Sequence, residues 1–386
     1  MGFLTFMMVV IVLMGVLVNN SNQYNLQKLY LKCIFILCFF YSALREATVG
    51  IDTYTYEEIF SQIAAYGINA ETRSTSVELG FRIFVFLLSR ITTNPQILII
   101  VSSAIICYGF YIVIKKYSNN YMLSSLIFVT TVFSATMNVM RQYVAISFIL
   151  LSICAGIEKK RIKAIIYALI AASFHYTAIF MLPFVLVTFW KDRINRKTLL
   201  FISIASVAII PFGMTILEFV IKIFPQYERF LYSSMYSATS DISFSTIFIF
   251  ILVIWLMNRC VGLIKIENFK LYCGRMVNKE LIQKVSDDNP NYYEAMIVFS
   301  ILFFGYIVTY FISKSFWLAS RAMYYVQPSL ILVIPNYLAF IKRNQLASRL
   351  VTILLITGFT LCYMYFGYGY FGADPHGLLP YMFFWE

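Results

Sequence analysis

A polytopic all-α bundle of membrane-spanning helices is the fold class this sequence predicts, and three observations predict it. The chain is 61% hydrophobic with only 12% charged residues, against roughly 25% charged in an ordinary soluble domain. Apolar runs long enough to cross a ~30 Å hydrocarbon core recur from end to end. The net charge of +12 is gathered in short loops between those runs, the pattern that fixes topology by the positive-inside rule rather than the pattern of a nucleic-acid-binding face.

About 12 spans are expected, or up to about 14 if borderline segments also cross. They lie near residues 3–18, 29–44, 94–114, 121–138, 142–157, 164–174, 176–190, 198–217, 244–260, 294–312, 322–341 and 350–366. The run at 3–18 has no basic leader and no small-residue cleavage site, so it reads as a retained helix. The pair flanking His175 is short and suggests a tight hairpin. Segment 78–90 is too short for a span and carries Arg82; a crossing there would place Lys115 and Lys116 outside. It therefore reads as a re-entrant or surface-lying helix, with no role for Arg82. Residues 1–386 form a single membrane domain on this reading.

With the N-terminus outside and strict alternation, 21 of the 30 Lys and Arg fall in inside loops and nine fall outside. Loops 45–77 and 218–243 then face outward, loop 263–293 faces the cytoplasm, and both termini end outside. No internal repeat supports the inverted-repeat plan of many transporters. The seven cysteines include no CxxC, and five sit in apolar runs, which suits packing rather than disulfides or zinc.

Ionisable groups near membrane depth are functional candidates. Arg45, Arg141 and Arg321 all stand at helix ends on the outward side, where the positive-inside rule disfavours them. One such arginine can snorkel to the headgroups. Three together suit phosphate oxygens, which the guanidinium fork matches, and so suggest a lipid-linked phosphate or diphosphate. His175, in an outward polar corner, has an ordinary pKa near ~6.5 that permits proton transfer at neutral pH. Asp52, after Gly50, is either a helix N-cap or a carboxylate that orients an arginine or accepts a sugar hydroxyl proton. His376 reads as an exposed tail residue. The sequence holds no P-loop, no GxGxxG and no HExxH. Its two histidines lie too far apart in sequence for a His-rich metal site. No metal and no cofactor are expected, and no nucleic acid as partner.

The stretches Arg45…Val49-Gly-Ile-Asp-Thr53, Glu78-Leu-Gly-Phe81, Arg141-Gln-Tyr-Val-Ala145, Ala172-Ser-Phe-His-Tyr-Thr-Ala178 with Leu182-Pro183, and Arg321…Tyr324-Tyr325, in that order, resemble the EpsG family, which is similar to the Wzy-type polysaccharide polymerases. The resemblance implies a GT-C-like membrane glycosyltransferase. Such an enzyme joins undecaprenyl-diphosphate-linked oligosaccharide repeat units on the outer face of the cytoplasmic membrane and uses no nucleotide sugar. The product is an O-antigen, capsule or exopolysaccharide, and a chain-length regulator is a candidate partner beside membrane lipids. On that reading Arg45, Arg141 and Arg321 hold diphosphate, His175 or Asp52 is the base, and Tyr324 stacks on sugar. The competing readings are a ligase or acyltransferase of the same pathway, and a lipid-linked oligosaccharide flippase.

Overall fold

The computed structural model describes residues 2–20, 24–72, 77–190, 291–315, 318–340 and 376–385, with isolated positions elsewhere. The expected spans at 198–217, 244–260 and 350–366, loop 218–243 and nearly all of loop 263–293 lie outside the described residues. Among those described, the chain is helical apart from turns and one isolated β-bridge. Five helices are long and apolar enough to cross a membrane, so this is a membrane protein. Contacts divide the chain into two compact units, where the sequence alone suggests one domain.

The first unit begins with α1 (Gly2–Asn20) and α2 (Tyr24–Ala43), followed by two shorter helices, α3 (Thr53–Tyr66) and α4 (Leu79–Ser89). Then come α5 (Gln96–Tyr117), α6 (Tyr121–Phe128), one π-turn (Val129–Phe133), α7 (Ser134–Asn138), α8 (Met140–Ile157) and α9 (Arg161–Phe174). Helices α2 and α5 run antiparallel. Phe35 meets Tyr111 edge-on at one end, and Ser42 hydrogen-bonds Ser103 at 2.7 Å toward the other. That pairing gathers Lys28, Lys32, Lys115 and Lys116 at one end of the unit. Gln96 Nε2 donates to the carbonyls of Ala43 and Arg45 at the opposite end.

The run 121–138, expected as one span, is one by length, but a π-turn interrupts it and Val139 (φ −87°, ψ 53°) breaks it from α8. Thr130 and Thr131 turn their hydroxyls back onto the carbonyls of Leu126 and Ile127. Such back-bonding relieves backbone acceptors that the altered helical register leaves unmet.

Helix α4 is 11 residues long, ~16 Å at 1.5 Å per residue and about half a bilayer core. Glu78, at its start, touches the beginning of α8, and the next helix, α5, starts beside Arg45, which itself bonds to Met137 at the end of α7. The chain thus enters and leaves α4 on the same side, as expected for a segment that does not cross. Arg82 donates from Nε to Ile68 O at 2.7 Å and also to Ala70 O. It ties α4 to the loop leaving α3, which gives it a structural role.

The second unit contains α10 (Leu182–Trp190), reached from α9 through a 3-10 helix (Tyr176–Met181). It also holds α11 (Tyr292–Ser315), α12 (Leu318–Val326), a 3-10 turn (Gln327–Ser329) and α13 (Leu330–Phe340). Residues 322–341, read from sequence as one span, are therefore two helices. Pro328 removes a backbone donor at the junction, so the α-helical ladder stops there. Helices α11 and α13 are tied by Ser300 and Tyr337 hydroxyls at 2.6 Å and by Asn336 beside Met296.

The C-terminal segment folds back onto the first unit. Glu46 N–H donates to Met382 O and Phe384 N–H to Leu44 O, both at 3.0 Å. Gly50 and Ile51 donate to the carbonyls of Gly377 and His376, and Tyr381 stacks on Tyr41 at 4.1 Å. His376 is accordingly half-buried in a docked strap, not an exposed tail residue.

Candidate active site

Three side chains distant in sequence converge where the start of α8 meets the end of α9. Glu78 Oε2 accepts from Arg141 Nη1 at 2.7 Å, and Oε1 lies 3.0 Å from His175 Nδ1. The same Oε1 accepts the backbone N–H of Tyr176 at 3.1 Å. The carboxylate is almost wholly buried, at 3% side-chain exposure, while Arg141 and His175 each keep 17%. A buried acid thus holds two partly exposed groups.

Local structure explains the convergence. Glu78 occupies the N-cap position of α4 without making a side-chain cap, so its carboxylate is available to other elements. Arg141 is on the first turn of α8, a poor place for a cation near the positive end of a helix dipole, and the carboxylate offsets that. His175 is the C-cap of α9, in extended conformation (φ −156°, ψ 118°), which ends the helix and turns the chain toward Glu78. Gly80 permits the close approach: a Cβ there would stand 2.2 Å from Ser173 Oγ and 2.7 Å from Ser173 O. Phe81, fully buried, lies under the Arg141 guanidinium at 5.7 Å and packs edge-on against Tyr56 and Phe174. The Glu-Leu-Gly-Phe stretch thereby supplies the acid, the close contact and the aromatic floor.

Burial pushes the Glu78 carboxyl upward. The His175 hydrogen bond and the Arg141 charge outweigh it, so the group sits below its ordinary 4.5. The stability from this linkage is fully present above that ordinary value and is lost as pH falls through the depressed one. An ionised carboxylate only accepts hydrogen bonds. Nδ1 of His175 therefore carries the hydrogen, and in neutral imidazole Nε2 becomes the basic nitrogen. The same tautomer logic lets a carboxylate orient the imidazole in hydrolase triads.

The other sequence candidates fall elsewhere. Arg45 is fully buried and turns inward. Nη1 donates to Ser42 O and, at 3.3 Å, to Ser42 Oγ; Nη2 donates to Met137 O at 3.1 Å. Met137 lies just before the α7–α8 break, where carbonyls lose their helical donors, and Thr53 Oγ1 approaches the same oxygen at 3.4 Å. Burial lowers the Arg45 pKa to about 10, opposed by Tyr381, Tyr56 and Glu57, so it stays charged at neutral pH. The expectation that Arg45 grips diphosphate is replaced by a structural one: it satisfies a broken helix. Arg45→Ala is expected to leave those carbonyls unmet, at about 1–3 kcal/mol each. It should lower the amount of folded protein in the membrane before it changes turnover per molecule, which quantitative immunoblotting beside an activity assay would separate.

Asp52 stands at the N-cap position of α3 but its side chain does not cap. Its backbone N–H donates to Asn138 Oδ1 at 3.0 Å, which brings Asp52 to the same α7–α8 corner that leads to Arg141. Gly50, before it, has φ +98° and abuts Met137 O, where a Cβ would come within 2.7 Å; only glycine tolerates both. Arg321 and Tyr324 belong to α12 in the second unit, both half-buried. Among the described residues no group of three or more His, Cys, Asp or Glu is arranged to hold a metal.

Sequence reading did not single out Glu78 as a site residue, although a signal was present. It is the only acid between Glu71 and Glu158, and a lone acid at the edge of a long apolar region is costly unless partnered.

No curated protein and no solved structure matches this chain. A family model described as the EpsG family matches residues 28–383, a range that includes Glu78, Arg141, His175 and the docked C-terminal strap up to Phe383. The chain therefore belongs to the EpsG family, a Wzy-type, polymerase-like family of membrane proteins.

Proposed function

We propose that the protein polymerises undecaprenyl-diphosphate-linked oligosaccharide repeat units into a surface polysaccharide. The observation that carries this reading is the linked Arg141–Glu78–His175 group: a partly exposed cation suited to phosphate and a partly exposed, oriented imidazole held by one carboxylate. The acceptor hydroxyl oxygen attacks the anomeric carbon of the donor, and the bond from that carbon to the diphosphate oxygen breaks. Arg141 offsets the charge that develops on the departing diphosphate. His175 Nε2 takes the hydroxyl proton, while Glu78 holds Nδ1–H and stabilises the imidazolium that forms. His175 is preferred to Asp52 as base because its orienting carboxylate is in place. Arg321 and Tyr324 are proposed, from their chemistry alone, as a further contact to substrate phosphate and sugar.

A polymerase and a flippase separate in a deletion strain. Loss of a polymerase leaves single lipid-linked repeat units on the outer surface, whereas loss of a flippase traps them inside. Single units on the surface are the expected result.

The working orientation places this site on the outer face of the cytoplasmic membrane. The turn at Lys160 lies at the far end of the α8–α9 hairpin from Arg141 and His175, and outward placement of the site puts that basic turn in the cytoplasm, as the charge rule prefers. In intact spheroplasts an impermeant thiol reagent is expected to label a cysteine introduced at position 66, where the side chain is exposed, and to spare one at 160. The reverse pattern would invert the orientation.

A further inference from the structure

A groove of about 550 Å³ opens on the outer wall of the first unit between α2 and α5. That is within the range of small-ligand clefts, ~300–1,000 Å³. Its floor is apolar and aromatic: Phe35 and Phe39 on one side, Ala104, Tyr108 and Tyr111 on the other. Both flanking helices are membrane-spanning by length and hydropathy, and Ile36, Phe40 and Tyr108 are exposed along them, so the groove faces lipid. Lys32 is the one charged side chain among its lining residues. Lys115 Nζ sits 5.4 Å from the Tyr111 ring at the same end. Lys28 and Lys116 are on the neighbouring turns.

We infer that this groove is a binding site for an anionic phospholipid, with acyl chains along the aromatic floor and the headgroup phosphate between Lys32 and Lys115. The charge complementarity selects the occupant: an apolar trough with Lys32 in its wall and Lys115 against the Tyr111 ring at the same end fits a lipid with a negative head. Lysines near a bilayer surface attract anionic headgroups, and two acting together give about a thirtyfold preference over a zwitterionic lipid. The carrier lipid of the polymerisation substrate is a poor candidate. The groove's cationic end lies at the opposite end of α2 from Ala43 and Arg45, and hence from the corner that holds Arg141. The inference is independent of the catalytic reading.

Native mass spectrometry of the full-length protein in detergent tests it. Equal amounts of phosphatidylglycerol and phosphatidylcholine are offered to the wild type, to a Lys32→Gln, Lys115→Gln double variant and to Ala104→Trp, which fills the groove. The wild type should retain phosphatidylglycerol about thirtyfold better. The double variant should bind both lipids alike, and the Ala104→Trp variant should lose the tightest-bound lipid of either kind while remaining in the membrane fraction. Equal retention by the wild type, or a preference that survives in the double variant, would overturn the assignment. So would displacement of phosphatidylglycerol by an equimolar polyprenyl phosphate, which would give the groove to the carrier.

Discussion

Glu78→Gln is expected to stop polymerisation almost completely while leaving the protein in the membrane. The amide keeps the shape of the carboxylate but removes its charge. Arg141 loses the partner at 2.7 Å, and His175 Nδ1 loses the acceptor that fixes its hydrogen there. A wrong tautomer in an intact triad lowers turnover ~10⁴-fold, and a fall of about 10³–10⁴-fold is expected here. Glu78→Asp should recover little, because a shorter side chain cannot reach both Arg141 and His175 from the N-cap of α4. The measurement is polymer yield per unit of membrane-embedded protein, with thermal unfolding in detergent as the control. A Glu78→Gln protein that polymerises at the wild-type rate would remove the linked group from the mechanism. His175→Ala provides an internal check: it should lower the rate about 10²–10⁴-fold with the amount of membrane protein unchanged.

Arg141→Ala is expected to lower the rate about 10²–10³-fold, the usual cost of removing one donor from a developing oxyanion. It also leaves the buried Glu78 carboxylate without its closest cation, so some loss of stability is expected alongside. Arg141→Lys should recover part of the activity, because it keeps the charge but loses both the planar fork and the stacking over Phe81. Arg321→Ala tests the second unit in the same assay. A large loss there with unchanged protein level is expected of a substrate contact, and no loss would free Arg321 from that role. Full activity in both alanine variants would remove diphosphate recognition by arginine from the account.

Much of the fold is legible in the sequence because hydropathy acts over whole helices. The runs at 29–44, 94–114 and 142–157 correspond to α2, α5 and α8 within a few residues. Segment 78–90 is recognisable in the sequence as a short helix, and α4 is 11 residues long. Breaks inside apolar runs are harder to see. The π-turn at 129–133 and the break at Val139 involve no proline or glycine, so only the backbone reveals them. The break also explains why Arg45 is misjudged from sequence. An outward arginine after a helix looks like a phosphate ligand, but its acceptor is the carbonyl of Met137, 92 residues away, at a helix end that sequence does not announce. Arg141 and His175 draw notice in the sequence because each stands beside an apolar run, but that the fold brings both to one carboxylate is not visible there. Glu78 draws less, because its meaning depends on two partners 63 and 97 residues away and on the close approach that Gly80 allows.

The central claim is that this chain joins lipid-linked repeat units by itself, through Glu78, Arg141 and His175. The most direct measurement supplies purified protein with purified undecaprenyl-diphosphate-linked repeat units, excess chelator and no nucleotide sugar, and follows product length on a gel beside the Glu78→Gln protein. A ladder of increasing length is expected from the wild type and single units from the variant. Single units from both proteins, or a ladder that appears only when divalent cations are restored, would contradict it.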